Sequence, residues 1–371
     1  MCICCYCRET CNFCGKTLQL SLTFFLMQLL RDKDCLSWQV TGTKTVLVAA
    51  YQEHRTEKKE VSEESRTPTQ VLLPVVNIHS DHFGFAYGTA NIMCPLPSGC
   101  ETPSHIAVTS AAAFSEGTVG FNPFSLAVHP KATLVCICIH ICVLLGVNRV
   151  VVYKTSSSPE TQRILDYYTN KGFVEVIPWS LSRFLNVSRG WLPEHGPGDI
   201  HYLGQIPALS DCVYRYMYQS RYVALHDMDE LILPHWSELL PLLENKYGAD
   251  KCYMFENNVF PITVTLRPPN SQPLPPQGCC LGWHNVSGVN ILAHLYHEPI
   301  ISETHYSNFK IIVNPRAVFI PTVHGLRGSQ KGCSWVDRNI ARMYHTRLSV
   351  QSEFSVAQLK QLLNVHTFHQ K

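Results

Sequence analysis

Residues 149–177 read RVVVYKTSSSPETQRILDYYTNKGFVEVI, and this stretch decides the fold class. Arg149-Val150-Val151-Val152-Tyr153 is apolar and β-branched, the composition of a buried strand. Ser158-Pro159-Glu160 supplies a cap, a first-turn proline and an early acid. Thr161, Ile164, Leu165 and Tyr168 then fall on one helical face, and Gly172 ends it. Phe173 to Ile177 reads as a second strand. Strand, helix and strand in this order predict a βαβ unit, with parallel pairing and a right-handed crossover. The expected class is α/β with a mostly parallel central sheet.

The pattern recurs downstream. Ile206, Leu209, Val213, Tyr216 and Met217 stand at helical spacing, and Tyr222-Val223-Ala224-Leu225 is a short apolar strand. Asp227-Met228-Asp229-Glu230 follows it immediately. Open α/β sheets bind ligands beyond the carboxyl ends of their strands, so this acidic cluster lies where such a fold puts its chemistry. Trp236, Leu239, Leu240 and Leu243 predict a further helix that Pro241 should weaken. Upstream, TLVCICIHICVLL from Thr133 to Leu145 reads as another buried strand, and the prolines of 267–278 mark a loop.

The 371 residues are 46% hydrophobic, enough for a full core, and 30 basic against 28 acidic side chains leave a net charge of +2. Without a basic stripe interleaved with aromatics, nucleic acid is excluded as a partner. Seventeen cysteines crowd residues 1–35 and recur later. Cys11-x-x-Cys14 lacks the second pair that a zinc site needs, whereas Cys94, Cys100, Cys212, Cys252, Cys279, Cys280 and Cys333 suit disulfides in a lumenal domain. Residues 17–30, TLQLSLTFFLMQLL, form a possible short signal-anchor, although a helix of that length spans only about 21 Å. Residues 36–70 then read as a stem, 71–350 as the catalytic domain and 351–371 as a tail. Two N-x-S sequons, at Asn186 and Asn285, allow glycosylation.

Asp227 and Asp229 are two carboxylates at i and i+2 after a strand, a spacing that suits Mn²⁺ or Mg²⁺. A divalent cation there would neutralise charge building on a departing diphosphate. His324, after the apolar run 311–323, is a candidate third metal ligand, and His345 is a second candidate histidine. The P-loop, the nucleophile elbow and the H-E-x-x-H motif are all missing. A phosphatase using Asp227 as nucleophile is the rival enzyme reading, although such enzymes usually carry Thr or Val where Leu231 stands.

The segments Leu145-Gly146-Val147, Tyr167-Tyr168, Gly204-Gln205-Ile206-Pro207-Ala208, Tyr222 to Pro234 and Ala341 to Arg347 together resemble glycosyltransferase family 92, over roughly Asp81 to Arg347. That resemblance implies a GT-A-type nucleotide-binding fold, type II anchoring in the Golgi membrane, a lumenal catalytic domain, and inverting transfer of galactose from UDP-galactose. The acceptor would be a glycan on a glycoprotein or glycolipid. Carried onto matching positions, it assigns Asp227 and Asp229 to metal and diphosphate, with Glu230 shaping the site. It assigns Gln205, Lys310, His345 and Arg347 to the donor. Glu298, Glu303 and Asp337 are candidates for the catalytic base. Only Cys136 to Leu144 stand where the family pattern has a longer stretch with a helix. A member that had lost donor binding in this way would remain a glycan-binding protein, the alternative to an active enzyme.

Overall fold

The computed structural model describes residues 3–7, 19–26, 38–39, 45–53, 75–95, 106–110, 142, 145–233, 236–261, 297–298 and 306–348. Residues 133–141 and 143–144 of the expected strand, the charged part of the stem, Cys11 and Cys14, Asn285, Glu303 and the 351–371 tail lie outside them. In chain order the strands begin with β1 (Ile3–Cys7), β2 (Gln19–Leu26), β3 (Trp38–Gln39), β4 (Thr45–Glu53), β5 (Val75–Ile78), β6 (Ala90–Pro95) and β7 (Ile106–Ser110). Then come β8 (Val150–Lys154), helix α1 (Pro159–Asn170), β9 (Val174–Pro178), α2 (Gln205–Arg215), β10 (Val223–Leu225), β11 (Glu230–Leu233) and α3 (Trp236–Tyr247). The described elements end with β12 (Cys252–Phe255), β13 (Asn257–Pro261), β14 (Lys310–Val313), β15 (Val318–Thr322), β16 (Gly325–Ser329), β17 (Cys333–Trp335) and β18 (Arg342–Arg347).

The βαβ unit forms as its sequence demands. Ser158 caps α1 by accepting from the Thr161 N–H at 3.3 Å, and Gly172 leaves the helix at φ +70°. Ile164, Leu165 and Tyr168 bury against Val152 and Val174, while β8 and β9 pair in parallel from Val150↔Val174 to Lys154↔Pro178.

A four-stranded sheet in the order β10-β14-β12-β17 carries the site. Its residues alternate between two cores, as the two-residue period of a strand requires. Ile311, Val313, Leu225 and Cys252 meet Ala208, Cys212 and Val213 of α2. Ile312, Tyr253 and Phe255 meet Leu239 and Leu243 of α3. Burial of those two leucines anchors α3 although Pro241 sits inside it.

One sequence expectation changes. The mixed α/β class is present, but β14 runs antiparallel to both β10 and β12, and only β12–β17 is parallel within this sheet. A continuous apolar run reports burial on both faces and carries no direction, so Lys310–Val313 left its polarity unread. Gln19–Leu26, within the segment read as a possible anchor, is a strand between β4 and β6, and Thr45–Glu53, within the segment read as a stem, is a strand as well. Its T-V-L-V-A-A-Y sequence suits a buried strand, and Val46 and Val48 join the core of α2. No helix among the described residues is long and apolar enough to cross a membrane.

One buried carboxylate joins three of these elements. Asp211 of α2 accepts from Tyr51 of β4, from Tyr153 of β8 at 3.0 Å, and from Arg215 Nε at 2.9 Å and Nη2 at 3.2 Å. Asp211→Ala leaves a guanidinium and two phenols without their acceptor, so unfolding stability should fall by about 3 kcal/mol or more. The urea unfolding midpoint measures this, and a loss below about 1 kcal/mol would show that the three elements are not held together through Asp211.

Candidate functional site

The register of β14 against β10 builds the site. Leu225, the last residue of β10, lies opposite Ile311, so Lys310 falls beside the turn that carries Asp227. The Lys310 side chain is 2% exposed, and its Nζ reaches Asp227 Oδ2 at 2.9 Å and Glu230 Oε2 at 3.4 Å. Gln205, the first residue of α2, donates from Nε2 to Asp227 Oδ1 at 2.6 Å. The turn closes on itself: the Glu230 N–H donates to Asp227 O at 3.2 Å, and the Asp227 N–H donates to Glu230 Oε2 at 2.7 Å.

Strand β18 supplies the other wall. Glu230 pairs with His345 across β11 and β18, and the Thr346 N–H donates to Asp229 O at 3.0 Å. His345 Nε2 lies 3.4 Å from Asp229 Oδ2, and its Nδ1 lies 3.6 Å from Glu230 Oε1. Arg347 is exposed, two residues further along the same strand and so on the same side as His345. The carboxylates of Asp227 and Asp229 keep 38% and 29% of their surface in solvent, whereas Glu230 and Lys310 sit behind them at 2%.

This layering separates the charges by function. Enclosure works to raise the Asp227 pKa, but the Lys310 ammonium prevails and holds it below the usual carboxylate range. Burial pushes Glu230 up to about 7 despite Lys310, with Asp227 adding to the rise. Burial opposes the charge on Lys310, yet Glu230 and Asp227 together raise its pKa. The site therefore presents the ionised Asp227 carboxylate to solvent, with Asp229 beside it and one ammonium behind.

Each carboxylate oxygen offers two lone pairs, and Asp227 uses one apiece for Gln205 and Lys310. Lone pairs remain on it, and among the described residues the Asp229 carboxylate has only the long contact to His345. Two hard oxygen donors with substrate phosphates completing the shell are what Mg²⁺ or Mn²⁺ takes, so this donor set fits such an ion. Among the described residues no three His, Cys, Asp or Glu side chains gather into a metal-holding group. His324 lies within electrostatic reach of Asp227, with Nδ1 3.3 Å from Phe309 O and its ring 5.6 Å from Trp191. Burial lowers its pKa to about 4, so it is neutral near pH 7.

The base candidates separate in space. Asp337 is paired with Lys246 at 3.7 Å and accepts from the Asn339 N–H at 2.9 Å. Glu298 is 5% exposed, its N–H donating to Val259 O at 2.7 Å. A cavity of about 710 Å³ lies beside the turn, with His226, Met228, Val150 and Val223 in its lining and neither Asp227 nor Asp229. Alternate residues of the turn thus look different ways.

Sequence reading missed the aromatic group next to the carboxylates. Ser188 Oγ accepts from the Gly190 N–H at 3.0 Å and donates to Gly196 O at 2.5 Å, drawing the loop together. A Cβ on Gly190 would meet Gly196 N at 2.5 Å, so the approach requires glycine. The folded loop puts Trp191 4.6 Å from His201 and 6.1 Å from Tyr202, with Phe83 4.1 Å from His201. Tyr202, Leu203 and Gly204 run at φ 34°, 58° and 72°, held by Trp179 Nε1 donating to Leu203 O at 2.6 Å. For the two non-glycine residues this conformation costs on the order of 1–3 kcal/mol each. The available signal was the cluster Gly190, Gly196 and Gly198 flanking Trp191 and preceding Tyr202, a mark of close backbone packing.

Residues 126–368 match the family model described as Glycosyltransferase family 92, and that span includes Trp191, the acidic turn, Lys310 and His345. No curated protein matches the chain.

Glu230 gives the site a measurable pH signature. Its folded pKa of about 7 lies above its ordinary 4.5, so its contribution to stability is complete below 4.5 and is lost as pH rises through 7. Glu230→Gln should remove that decline, making the variant gain on the wild type between pH 5 and pH 8 in parallel denaturation curves. Identical pH profiles for the two proteins would disprove the buried, proton-binding carboxyl.

Proposed function

The chain belongs to glycosyltransferase family 92, and from that membership we propose that it moves a hexose, galactose first among candidates, from a UDP-sugar to a glycan acceptor with inversion. The acceptor is a glycan of a glycoprotein or glycolipid, and the sheet around β10 serves as the nucleotide-binding part of a GT-A-type fold. One observation carries the reading. Two solvent-facing carboxylates follow β10, with Asp227 fixed from behind by Gln205 and Lys310 and Asp229 beside His345.

A bound Mn²⁺ or Mg²⁺ would neutralise the charge that builds on the departing diphosphate. Asp227 and Asp229 hold that cation, and the three neighbouring carboxyl groups against one buried ammonium favour a second positive charge beside them. Gln205 and Lys310 keep Asp227 oriented, so its geometry is set before substrate arrives. His345 performs the same service for Asp229, and exposed Arg347 is placed to meet phosphate. Family membership sets the aspartate-nucleophile phosphatase aside.

A lumenal Golgi location belongs to the same proposal, and exposed Asn186 then becomes a glycan acceptor. Loss of mass on treatment with an N-glycosidase, absent in Asn186→Gln, would support that placement.

The decisive experiment is turnover of UDP-galactose against galactose- and fucose-terminated oligosaccharides with Mn²⁺, comparing wild type with Asp229→Asn. Removing an anionic ligand weakens cation retention and charge neutralisation together, so the rate should fall by roughly 100-fold or more with circular dichroism unchanged. Mn²⁺ should raise the wild-type Tm, and raise it less in the variant. Transfer that survives both chelation and Asp229→Asn would end the metal-dependent reading. Oligosaccharide binding without turnover of any sugar nucleotide would leave a glycan-binding family member.

A further inference from the structure

We propose that Tyr202 and Trp191 form a stacking surface for the C–H face of a hexose ring held in front of Asp227 and Asp229. This rests on the glycosyl-transfer reading and extends it to residues that the carboxylate motif does not include.

The placement comes from two independent links. Gln205, three residues after Tyr202, donates to Asp227, so the Tyr202 loop and the carboxylate turn share a hydrogen bond at their junction. On the other side, His324 contacts the carbonyl of Phe309, the neighbour of Lys310, and its ring lies 5.6 Å from Trp191. The aromatic group thus borders the carboxylates through both α2 and β14.

The conformation of Tyr202 is the second observation. The residue is 39% exposed, and its backbone is held at positive φ for three residues in succession. Trp179 and Leu181 pack against Gly204 and fix the backbone from which the Tyr202 ring projects. The rings beneath it are close: Trp191 at 6.1 Å and His201 at 5.9 Å from Tyr202, with Phe83 stacked on His201. His201 is buried, and neither of its ring nitrogens has a hydrogen-bond partner among the described residues. Burial lowers its pKa to about 4, so it supports the surface as a neutral ring.

The chemistry matches a sugar. A pyranose carries hydroxyls around its rim and a face of C–H bonds, and a site that recognises it needs acceptors on one side and an apolar plane on another. Carboxylates supply the first, and the Tyr202 ring supplies a rigid plane with a polar edge, with Trp191 set at 62° against it as a second apolar wall. The ring comes from the donor hexose or from the terminal sugar of the acceptor.

The test uses the full chain with UDP-galactose, Mn²⁺ and a galactose-terminated oligosaccharide, comparing wild type, Tyr202→Ala and Tyr202→Phe. Tyr202→Ala should raise one sugar-substrate KM about tenfold with kcat nearly unchanged, and Tyr202→Phe, which keeps the ring, should restore it. A raised acceptor KM identifies the acceptor sugar. A raised UDP-galactose KM with unchanged affinity for UDP alone identifies the donor hexose. Equal losses of affinity for UDP and UDP-galactose would point to the nucleobase and overturn the proposal, as would unchanged KM values in a Tyr202→Ala protein of wild-type Tm. If the wild type turns nothing over, calorimetric binding of the oligosaccharide still decides. Dependence on Tyr202 would keep the stacking surface and end the transferase reading, and independence would end the surface.

Discussion

The site depends on a buried ammonium. Lys310 begins β14, where strand pairing fixes its backbone, and its side chain is almost fully removed from water between Asp227 and Glu230. A lone charge at that depth would be intolerable, and the two carboxyl groups make it tolerable. They in turn accept burial and crowding only because the ammonium is there. This mutual requirement fixes the turn between β10 and β11, and through it the direction in which Asp229 looks. Gln205 and His345 tighten an arrangement whose charge balance Lys310 has already set.

Much of this was legible in the sequence, for local reasons. The βαβ unit announced itself by a cap, a glycine stop and two apolar runs, all signals that act within a few residues. The acidic turn was legible because a strand and a carboxylate pair stand adjacent in the chain. Lys310 was harder: its distance from Asp227 is 83 residues in sequence and 2.9 Å in space, and only the family resemblance linked them. The antiparallel course of β14 was unreadable because burial on two faces looks the same in either direction. His324 carried two readings in the sequence, and the structure packs its ring beside Trp191 within electrostatic reach of Asp227.

The aromatic border was illegible for a different reason. Phe83, Trp191, His201 and Tyr202 come from segments with no common period, and the agents that gather them are small: a buried serine hydroxyl and glycines that touch backbone to backbone. Side-chain patterning reports elements that repeat, and this loop does not repeat. Its order is visible only in consecutive left-handed residues pinned by the Trp179 indole.

Asp211 has a consequence for where this molecule ends as a folding unit. The family match begins at residue 126, yet β4 lies far upstream of it and places Val46 and Val48 in the core shared with α2. Tyr51 binds the same carboxylate that Tyr153 and Arg215 bind, and its ring stacks 5.4 Å from Tyr214. Ancestry and cohesion therefore draw different borders through one chain. The helix whose first residue grips Asp227 is braced halfway along by a segment outside the matched span, so the inherited catalytic module leans on a flank that its own lineage signature does not include.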